Sequence, residues 1–156
     1  MSEALAEKRL QELGIELPTP PQPAGSYTRS VRSGNQIFVS GQLPLTAGEM
    51  VFSGPVGEGG LSVEDGAEAA RLCALNALSI LAADAGGLDN VRIVRMTGYV
   101  ATAGAFAGQA AVMNGASDLM AAVLADAGVH ARVAVGVQRL PLDAAVELEV
   151  IAEVNG

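Results

Sequence analysis

Two segments near the C-terminus, residues 130–138 and 146–154, alternate apolar and polar positions. A period of two is typical of β-strands that bury one face. The Leu-Pro-Leu-Asp segment at 140–143 lies between the two segments and contains turn-forming residues. The pattern therefore predicts a β-hairpin at the end of the chain.

Arg132 is the most informative residue of the first segment. It shares a strand face with Ala134 and Gly136, whereas the valines of this segment occupy the other face. These small neighbours leave the planar guanidinium room to form two parallel hydrogen bonds with a carboxylate. In the hairpin Glu147 would lie opposite Gly136, about 13 Å from Arg132 at ~3.3 Å per residue. Because one small molecule could hardly reach both, we expect a site that joins residues of two neighbouring chains.

Upstream, the pattern predicts further strands and two long helices. They are strands at 27–33, 36–40 and near 50–52, a helix from Ser62 to Gly86-Gly87, a strand at 90–102 and a helix at 107–127. Ser62 and Asp65 form a near capping box, and the Gly-rich stretch 54–60 predicts a loop. The order β-β-β-α-β-α-β-β predicts an α+β fold with two helices on one face of a mixed sheet. Either the N-terminal helix would cover part of the other face, or that face would be buried against another subunit.

The N-terminal part differs in composition from the rest. Residues 3–13 predict a short amphipathic helix that ends at Gly14. Prolines 18, 20, 21 and 23 follow, and they permit neither a helix nor a central strand. We therefore divide the chain into an N-terminal helix and proline-rich strap at 1–23 and a single domain at 24–156.

Composition excludes several classes of function. The net charge is −8, and the nine basic residues form no cluster, which disfavours a nucleic-acid partner. No run of 18 apolar residues indicates a membrane span, and no apolar signal stretch opens the chain, so we expect a cytoplasmic protein. One cysteine, Cys73, and one histidine cannot form a Cys/His metal cluster. Because phosphate- and dinucleotide-binding motifs are also missing, we expect neither a metal nor a cofactor.

Four blocks of residues together resemble one family. They are Ala24-Gly25-Ser26-Tyr27, the segment 37–44 with its Ser-Gly-Gln-Leu-Pro stretch, Asn114, and the segment from Ala131-Arg132 through Leu140-Pro141 to Glu147-Leu148-Glu149. With these blocks the chain resembles the Rid family of reactive-intermediate (enamine and imine) deaminases, also called the YjgF family. The resemblance implies a chorismate-mutase-like fold, a homotrimer, and sites in clefts between subunits. It also implies hydrolysis of 2-enamine or 2-imine acids to 2-keto acids and ammonia.

The resemblance assigns roles to individual residues. Arg132 would hold the substrate carboxylate, and Glu147 would hold or polarise the attacking water. The pocket would be lined by Tyr27, Ser40, Gly41, Asn114 and Ala134. Two positions depart from the family, because many relatives have a cysteine at Ala134 and a glutamate at Gly136. Each residue also has a structural interpretation: Glu147 as a solvated strand carboxylate, Tyr27 as an interface residue, Ser40 as a strand end and Asn114 as a helix-surface residue.

The chemistry requires little machinery. An imine is already electrophilic, so water can attack it without a metal, provided that the substrate is oriented and one group handles a proton. We therefore expect a metal-free hydrolase similar to 2-iminobutanoate/2-iminopropanoate deaminases, acting on small 2-imino acids. The alternative is a non-catalytic trimer that binds small carboxylates or stabilises a partner enzyme. Ribonuclease activity fits the acidic balance and the single histidine poorly.

Overall fold

A computed structural model describes residues 4–155. Its α-helices are α1 (Leu5–Glu12), α2 (Val63–Ala85) and α3 (Gln109–Leu124). Its strands are β1 (Ser30–Ser33), β2 (Gln36–Gln42), β3 (Leu45–Thr46), β4 (Glu49–Met50), β5 (Val56–Gly57), β6 (Val91–Ala103), β7 (Ala131–Val137) and β8 (Val146–Val154). Short 3-10 helices follow α2 and α3 and precede β8. The α+β class is confirmed, and the predicted start of the first helix at residue 3 lies outside the described residues.

The main sheet is mixed. Strands β1, β2, β8 and β6 lie side by side in that order and pair antiparallel, whereas β7 pairs parallel with β6. The end of β6 also pairs with β5, and β3 and β4 form a separate two-stranded ribbon. The short strand predicted near 50–52 is found slightly earlier, as β4 of this ribbon, and its partner β3 was not predicted. The predicted loop at 54–60 contains the two residues of β5.

The predicted terminal hairpin is wrong, because β6 separates β7 from β8. Residues 95–100 of β6 pair with β7 along one edge and with β8 along the other. The helix α3 connects β6 to β7, as the crossover of a parallel pair requires. Residues 138–145 then pass from one side of β6 to the other, with Leu142 and Asp143 in the left-handed region at φ 57°. Alternation locates strands and their faces, but it does not select their neighbours.

Helices α2 and α3 pack on one face of the sheet and on each other, as predicted. The Asp65 N–H donates to Ser62 Oγ (3.0 Å), so Ser62 caps the start of α2, and Gly86 at φ 71° ends the helix. Where the helices meet, Gly115 lies so close to the Ala67 backbone carbonyl that a Cβ at position 115 would overlap it. The two helices can therefore approach this closely only because residue 115 has no side chain.

Helix α1 packs against the ends of the other helices. The Ala6 N–H donates to Asp89 Oδ1 (3.0 Å), and Arg9 Nη1 donates to the Val123 carbonyl (3.3 Å). Ala6 and Leu10 are buried in these contacts. The N-terminal helix therefore extends the helical layer and leaves the opposite face of the sheet open.

Helix α2 has the length and composition of a membrane span. An 18-residue window of it reaches a mean hydropathy of 1.2, but 61% of that window is buried inside the fold. Among residues 4–155 it is the helix that meets these criteria. Burial against α3 and the sheet accounts for its apolar composition in the way typical of a core helix.

The sheet face opposite the helices carries exposed apolar side chains. Val31 is 55% exposed, Phe38 and Val133 are each 41% exposed, and Val135 is 37% exposed. β7 also pairs along one side only among the described strands, since β6 is its partner. An open strand edge beside an apolar face is typical of a surface that another chain covers.

Candidate functional site

The two residues expected to carry the chemistry project from opposite faces of the sheet. Arg132 pairs with Met96 of β6, whereas Glu147 pairs with Tyr99. Met96 and Tyr99 are three positions apart on one strand, so their side chains lie on opposite sides. Met96 is fully buried beneath the helices. Arg132 is therefore on the helix-covered side, and Glu147 is on the open side.

Helix α3 holds the Arg132 guanidinium at the edge of the sheet. Arg132 Nη1 donates to Asn114 Oδ1 (2.9 Å) and to Ser117 Oγ (3.0 Å), and Nη2 donates to the Ala110 carbonyl (3.3 Å). Residues 110, 114 and 117 fall on one face of a helix because they are spaced by four and three positions. All three acceptors are neutral, so the contacts orient the guanidinium without neutralising its charge.

The strand positions beside Arg132 are small, as the sequence predicts. Ala134 pairs with Gly98 of β6 on the same face as Arg132 and packs partly against the core. At Gly136 a Cβ would lie 2.7 Å from Gln109 Nε2, so the amide of α3 fills the space above this glycine. The missing side chain at 136 is thus replaced by a polar group from the helix.

Glu147 is half-buried on the open face, beneath Gly41. Gly41 lies in a bulge of β2 between Val39 and Gln42, and a Cβ at position 41 would overlap the Glu147 carboxylate. Burial raises the pKa of Glu147, and repulsion from Glu149 raises it further. A carboxyl group whose pKa is raised toward neutrality is better suited to exchange a proton than a fully solvated one.

Tyr27 and Ser40 lie next to Gly41. Ser40 Oγ donates to the Thr28 carbonyl (2.7 Å), which ties β2 to the segment before β1. Tyr27 is 54% exposed and lines a small cleft together with Gly41, Ala24 and residues 21–23 of the proline-rich strap. Glu147, Gly41, Ser40 and Tyr27 therefore form one group, separate from the Arg132 group.

The predicted placement of Glu147 opposite Gly136 is wrong, because both residues pair with β6 rather than with each other. Two strand spacings and three residues along β6 still separate Arg132 from Glu147, which is about 14 Å at ~4.8 Å per strand and ~3.3 Å per residue. The isolated chain therefore places the two residues far apart, and on different faces.

Sequence reasoning missed several polar residues of the Arg132 group, namely Gln109, Ser117 and His130. His130 precedes β7, and its Nε2 lies 2.9 Å from Ser117 Oγ. Two signals were available. Ser117 follows Asn114 by one helical turn, and His130 precedes Arg132 by the two positions that place strand residues on one face. Within residues 4–155 no three His, Cys, Asp or Glu side chains lie close enough to hold a metal ion.

Comparison with known proteins identifies relatives over nearly the whole chain. The family model described as Endoribonuclease L-PSP matches residues 18–154. Protein TCP17 of Trypanosoma cruzi is 45% identical over 148 residues, which are 94% of this chain and 92% of that protein. The crystal structure of Atu1372, a protein of unknown function from Agrobacterium tumefaciens, has a TM-score of 0.87 at 41% identity and covers 97% of this chain and 93% of that one.

Two E. coli structures share the fold at lower similarity. The YjgF gene product has a TM-score of 0.64 at 28% identity, covering 88% of this chain and 96% of that one. TdcF, whose structure contains bound serine, has a TM-score of 0.63 at 27% identity and covers 85% of this chain and 91% of that one. These similarities confirm that the sheet and its two helices are a known architecture.

Proposed function

Because the chain belongs to the Endoribonuclease L-PSP family, also known as the YjgF or RidA family, we propose that it is a hydrolytic deaminase. Its substrates would be small 2-enamine or 2-imine acids such as 2-iminopropanoate and 2-iminobutanoate. Its products would be the 2-keto acid and ammonia. The protein would act as a cytoplasmic homotrimer whose sites lie in clefts between subunits, without a metal or cofactor.

The observation that carries this proposal is the separation of the two half-sites within one chain. Arg132 lies at the open edge of β7 on the helix side, and Glu147 lies under Gly41 on the open face. A second copy that covers this face and edge could bring its own Glu147 group to the Arg132 of its neighbour. The same contact would bury Val133 and Val135, which are exposed in the single chain.

In the proposed reaction, Arg132 binds the substrate carboxylate and so orients the imine. Glu147 of the neighbouring copy accepts a proton from water as the water oxygen bonds to the imine carbon. Glu147 then returns this proton to nitrogen, and the hydroxyl proton of the tetrahedral intermediate passes to nitrogen as the C–N bond breaks, so that ammonia leaves and the carbonyl of the 2-keto acid forms. The raised pKa of Glu147 suits both proton transfers, because a carboxylate with a raised pKa is a stronger base and its acid form can return the proton.

A second candidate is a non-catalytic protein that binds small carboxylates. The serine bound to TdcF supports it, because an amino acid offers the same carboxylate as a 2-imino acid. The family description instead names an endoribonuclease. A chain with 17 acidic and nine basic residues offers little attraction to a phosphate backbone, so we do not favour that activity.

The test is turnover of freshly generated 2-iminopropanoate by the wild type, Arg132→Ala and Glu147→Gln. We expect the wild type to hydrolyse it above the buffer rate and each variant to lose about 10- to 100-fold in kcat/KM. Tight 2-keto-acid binding without turnover would favour the carboxylate-binding alternative. Wild-type turnover that Arg132→Ala retains in full would contradict the assigned site.

Mixing the two variants tests the location of the site. The subunits of the two variants are dissociated, mixed in equal amounts and reassembled. A shared cleft then contains both functional residues when a Glu147→Gln subunit contributes its Arg132 and the neighbouring Arg132→Ala subunit contributes its Glu147. Random assembly gives this combination at about a quarter of the clefts, so we expect about a quarter of wild-type activity. A site contained in one chain would recover none.

A further inference from the structure

Ser117, His130 and Arg132 form a continuous chain of hydrogen bonds where α3 meets the start of β7. His130 Nδ1 lies 2.6 Å from the Gly128 carbonyl, and its Nε2 lies 2.9 Å from Ser117 Oγ. Ser117 Oγ in turn lies 3.0 Å from Arg132 Nη1. All three side chains are partly buried. His130 is the only histidine of the chain.

Chemistry fixes the direction of each hydrogen bond when the imidazole is neutral. The Gly128 carbonyl can only accept, so His130 Nδ1 carries the proton and donates it. Nε2 is then an acceptor, and the Ser117 hydroxyl donates its single proton to it. The lone pairs of Ser117 Oγ are left to face the guanidinium, which can only donate. His130 therefore determines which way the Ser117 hydroxyl points.

The orientation of Ser117 determines which part of Arg132 is available to a ligand. Both Nη1 protons are used, one by Asn114 and one by Ser117, and one Nη2 proton is used by Ala110. Among residues 4–155 the other Nη2 proton and the Nε proton have no acceptor. Nε and Nη2 are adjacent on one side of the guanidinium, and this side can bind both oxygens of a carboxylate.

We propose that Ser117 and His130 are positioning residues of the carboxylate site. His130 orients the Ser117 hydroxyl, Ser117 holds Nη1 of Arg132, and the Nε–Nη2 side of the guanidinium is thereby presented to the carboxylate of a 2-keto or 2-imino acid. This inference rests on the proposed function, because that function assigns the carboxylate to Arg132. It adds two residues that act through Arg132 rather than on the reacting atoms.

The experiment combines nitrogen NMR of His130 with ligand binding. As the single histidine, His130 gives one unambiguous pair of ring-nitrogen signals in protein labelled with ¹⁵N-histidine. Without ligand, we expect the Nδ1-protonated tautomer in the wild type and a changed Nε2 signal in Ser117→Ala. Ser117→Thr keeps a hydroxyl at this position, so its Nε2 signal should resemble that of the wild type.

Binding of 2-ketobutyrate and turnover of its imine give the functional result. We expect Ser117→Ala to raise the Kd and KM about tenfold, because one hydrogen bond to a charged group is lost, while kcat changes little. Ser117→Thr should restore wild-type values. His130→Phe should behave like Ser117→Ala, and Ser117→Ala carries the test if His130→Phe does not fold. Asp118→Ala, at the exposed neighbouring position of α3, is the control and should leave Kd unchanged.

Each other result overturns the inference in a distinguishable way. If the wild type binds 2-ketobutyrate and Ser117→Ala binds it equally well, Ser117 does not position Arg132, and the proposed function stands. If the His130 signals are the same in the wild type and Ser117→Ala, the two side chains are not coupled. If the wild type binds no 2-keto acid, both the proposed function and this inference fail. Covalent labelling of Ser117 by an organophosphate would identify it as a nucleophile and overturn a positioning role.

Discussion

On the helix-covered face of β6, Met96 and Val100 are fully buried, whereas their neighbours Thr97 and Tyr99 on the other face are only half-buried. The covered face is completed by α2 and α3 of the same chain. The open face combines exposed valines with Glu147, a half-buried carboxyl group whose pKa is raised. The same strands therefore have one face that is buried within the chain and one face that is exposed in the single chain.

This difference separates folding from function. Changes on the covered face should alter the stability of the single chain, because its contacts are internal. Changes on the open face should alter assembly and chemistry while the chain still folds. Arg132 belongs to both surfaces. Its side chain projects to the covered side, but it lies on the outermost strand, where a neighbouring copy could reach it.

The largest expected effect is on assembly. Val135→Lys places a charge on the open face of the outermost strand β7, where a neighbouring chain would have to bury it. We expect the dissociation constant of the proposed trimer to rise about 100-fold or more, which corresponds to about 3 kcal/mol. Light scattering over a dilution series measures this change. Gln11→Lys, which adds the same charge on exposed α1, should leave assembly unchanged. A Val135→Lys protein that assembles as tightly as the wild type would contradict the proposed interface.

The next effect concerns the covered face. Gly115→Ala would push a methyl group into the Ala67 carbonyl between α3 and α2. Because the obstacle is the backbone of a packed helix and cannot move aside, we expect the free energy of unfolding to fall by about 2 kcal/mol. Glycine-to-alanine changes in exposed helices normally raise stability by up to about 1 kcal/mol. Denaturant unfolding of Gly115→Ala and the wild type shows whether the substitution lowers or raises the free energy of unfolding. A stabilised variant would show that the helices are not in this close contact.

The alternation of residues was sufficient to place Arg132 on a face with Ala134 and Gly136 and the valines on the other. It could not show that β7 pairs parallel with β6, because a period of two defines faces and carries no information about neighbours. The hairpin was predicted because Leu140-Pro141-Leu142-Asp143 is rich in turn-forming residues. Those residues do reverse the chain, but they carry it across the end of β6.

Among the candidate site residues, too, some relationships followed from the sequence and others depended on tertiary packing. Arg132 and Asn114 were expected to act in one pocket, and they form a direct hydrogen bond of 2.9 Å. Ser117 and His130 were missed, since their contact depends on how α3 lies over β7, and neither residue belongs to a recognised motif. The burial of Glu147 was also beyond prediction, because it arises from the bulge that brings Gly41 over its carboxylate.

A smaller effect should separate chemistry from stability on the open face. Gly41→Ala would place a methyl group on the Glu147 carboxylate, which is the end of a flexible side chain and can move away. We therefore expect kcat/KM for the 2-imino acid to fall about tenfold, or about 1.4 kcal/mol, with little change in the unfolding midpoint. In a Glu147→Ala background the same change should have almost no effect on the residual rate. Equal losses in both backgrounds would mean that Gly41 acts by another route.

The smallest expected effect is the pH dependence that Glu147 gives to stability. Its folded-state pKa is raised above the ordinary 4.5 by burial and by Glu149, so folding favours the protonated form. This contribution is fully present below the ordinary value and is lost as pH rises through the folded-state pKa. Glu147→Gln cannot ionise, so this variant should be more stable than the wild type at pH 7, and the difference should vanish near pH 4. Unfolding curves of the two proteins, recorded at equal protein concentration over this pH range, measure the difference. Glu149→Gln should give a smaller gain in stability at pH 7, because it removes only the repulsion between the two carboxylates. A stability difference between Glu147→Gln and the wild type that does not depend on pH would show that Glu147 is solvated.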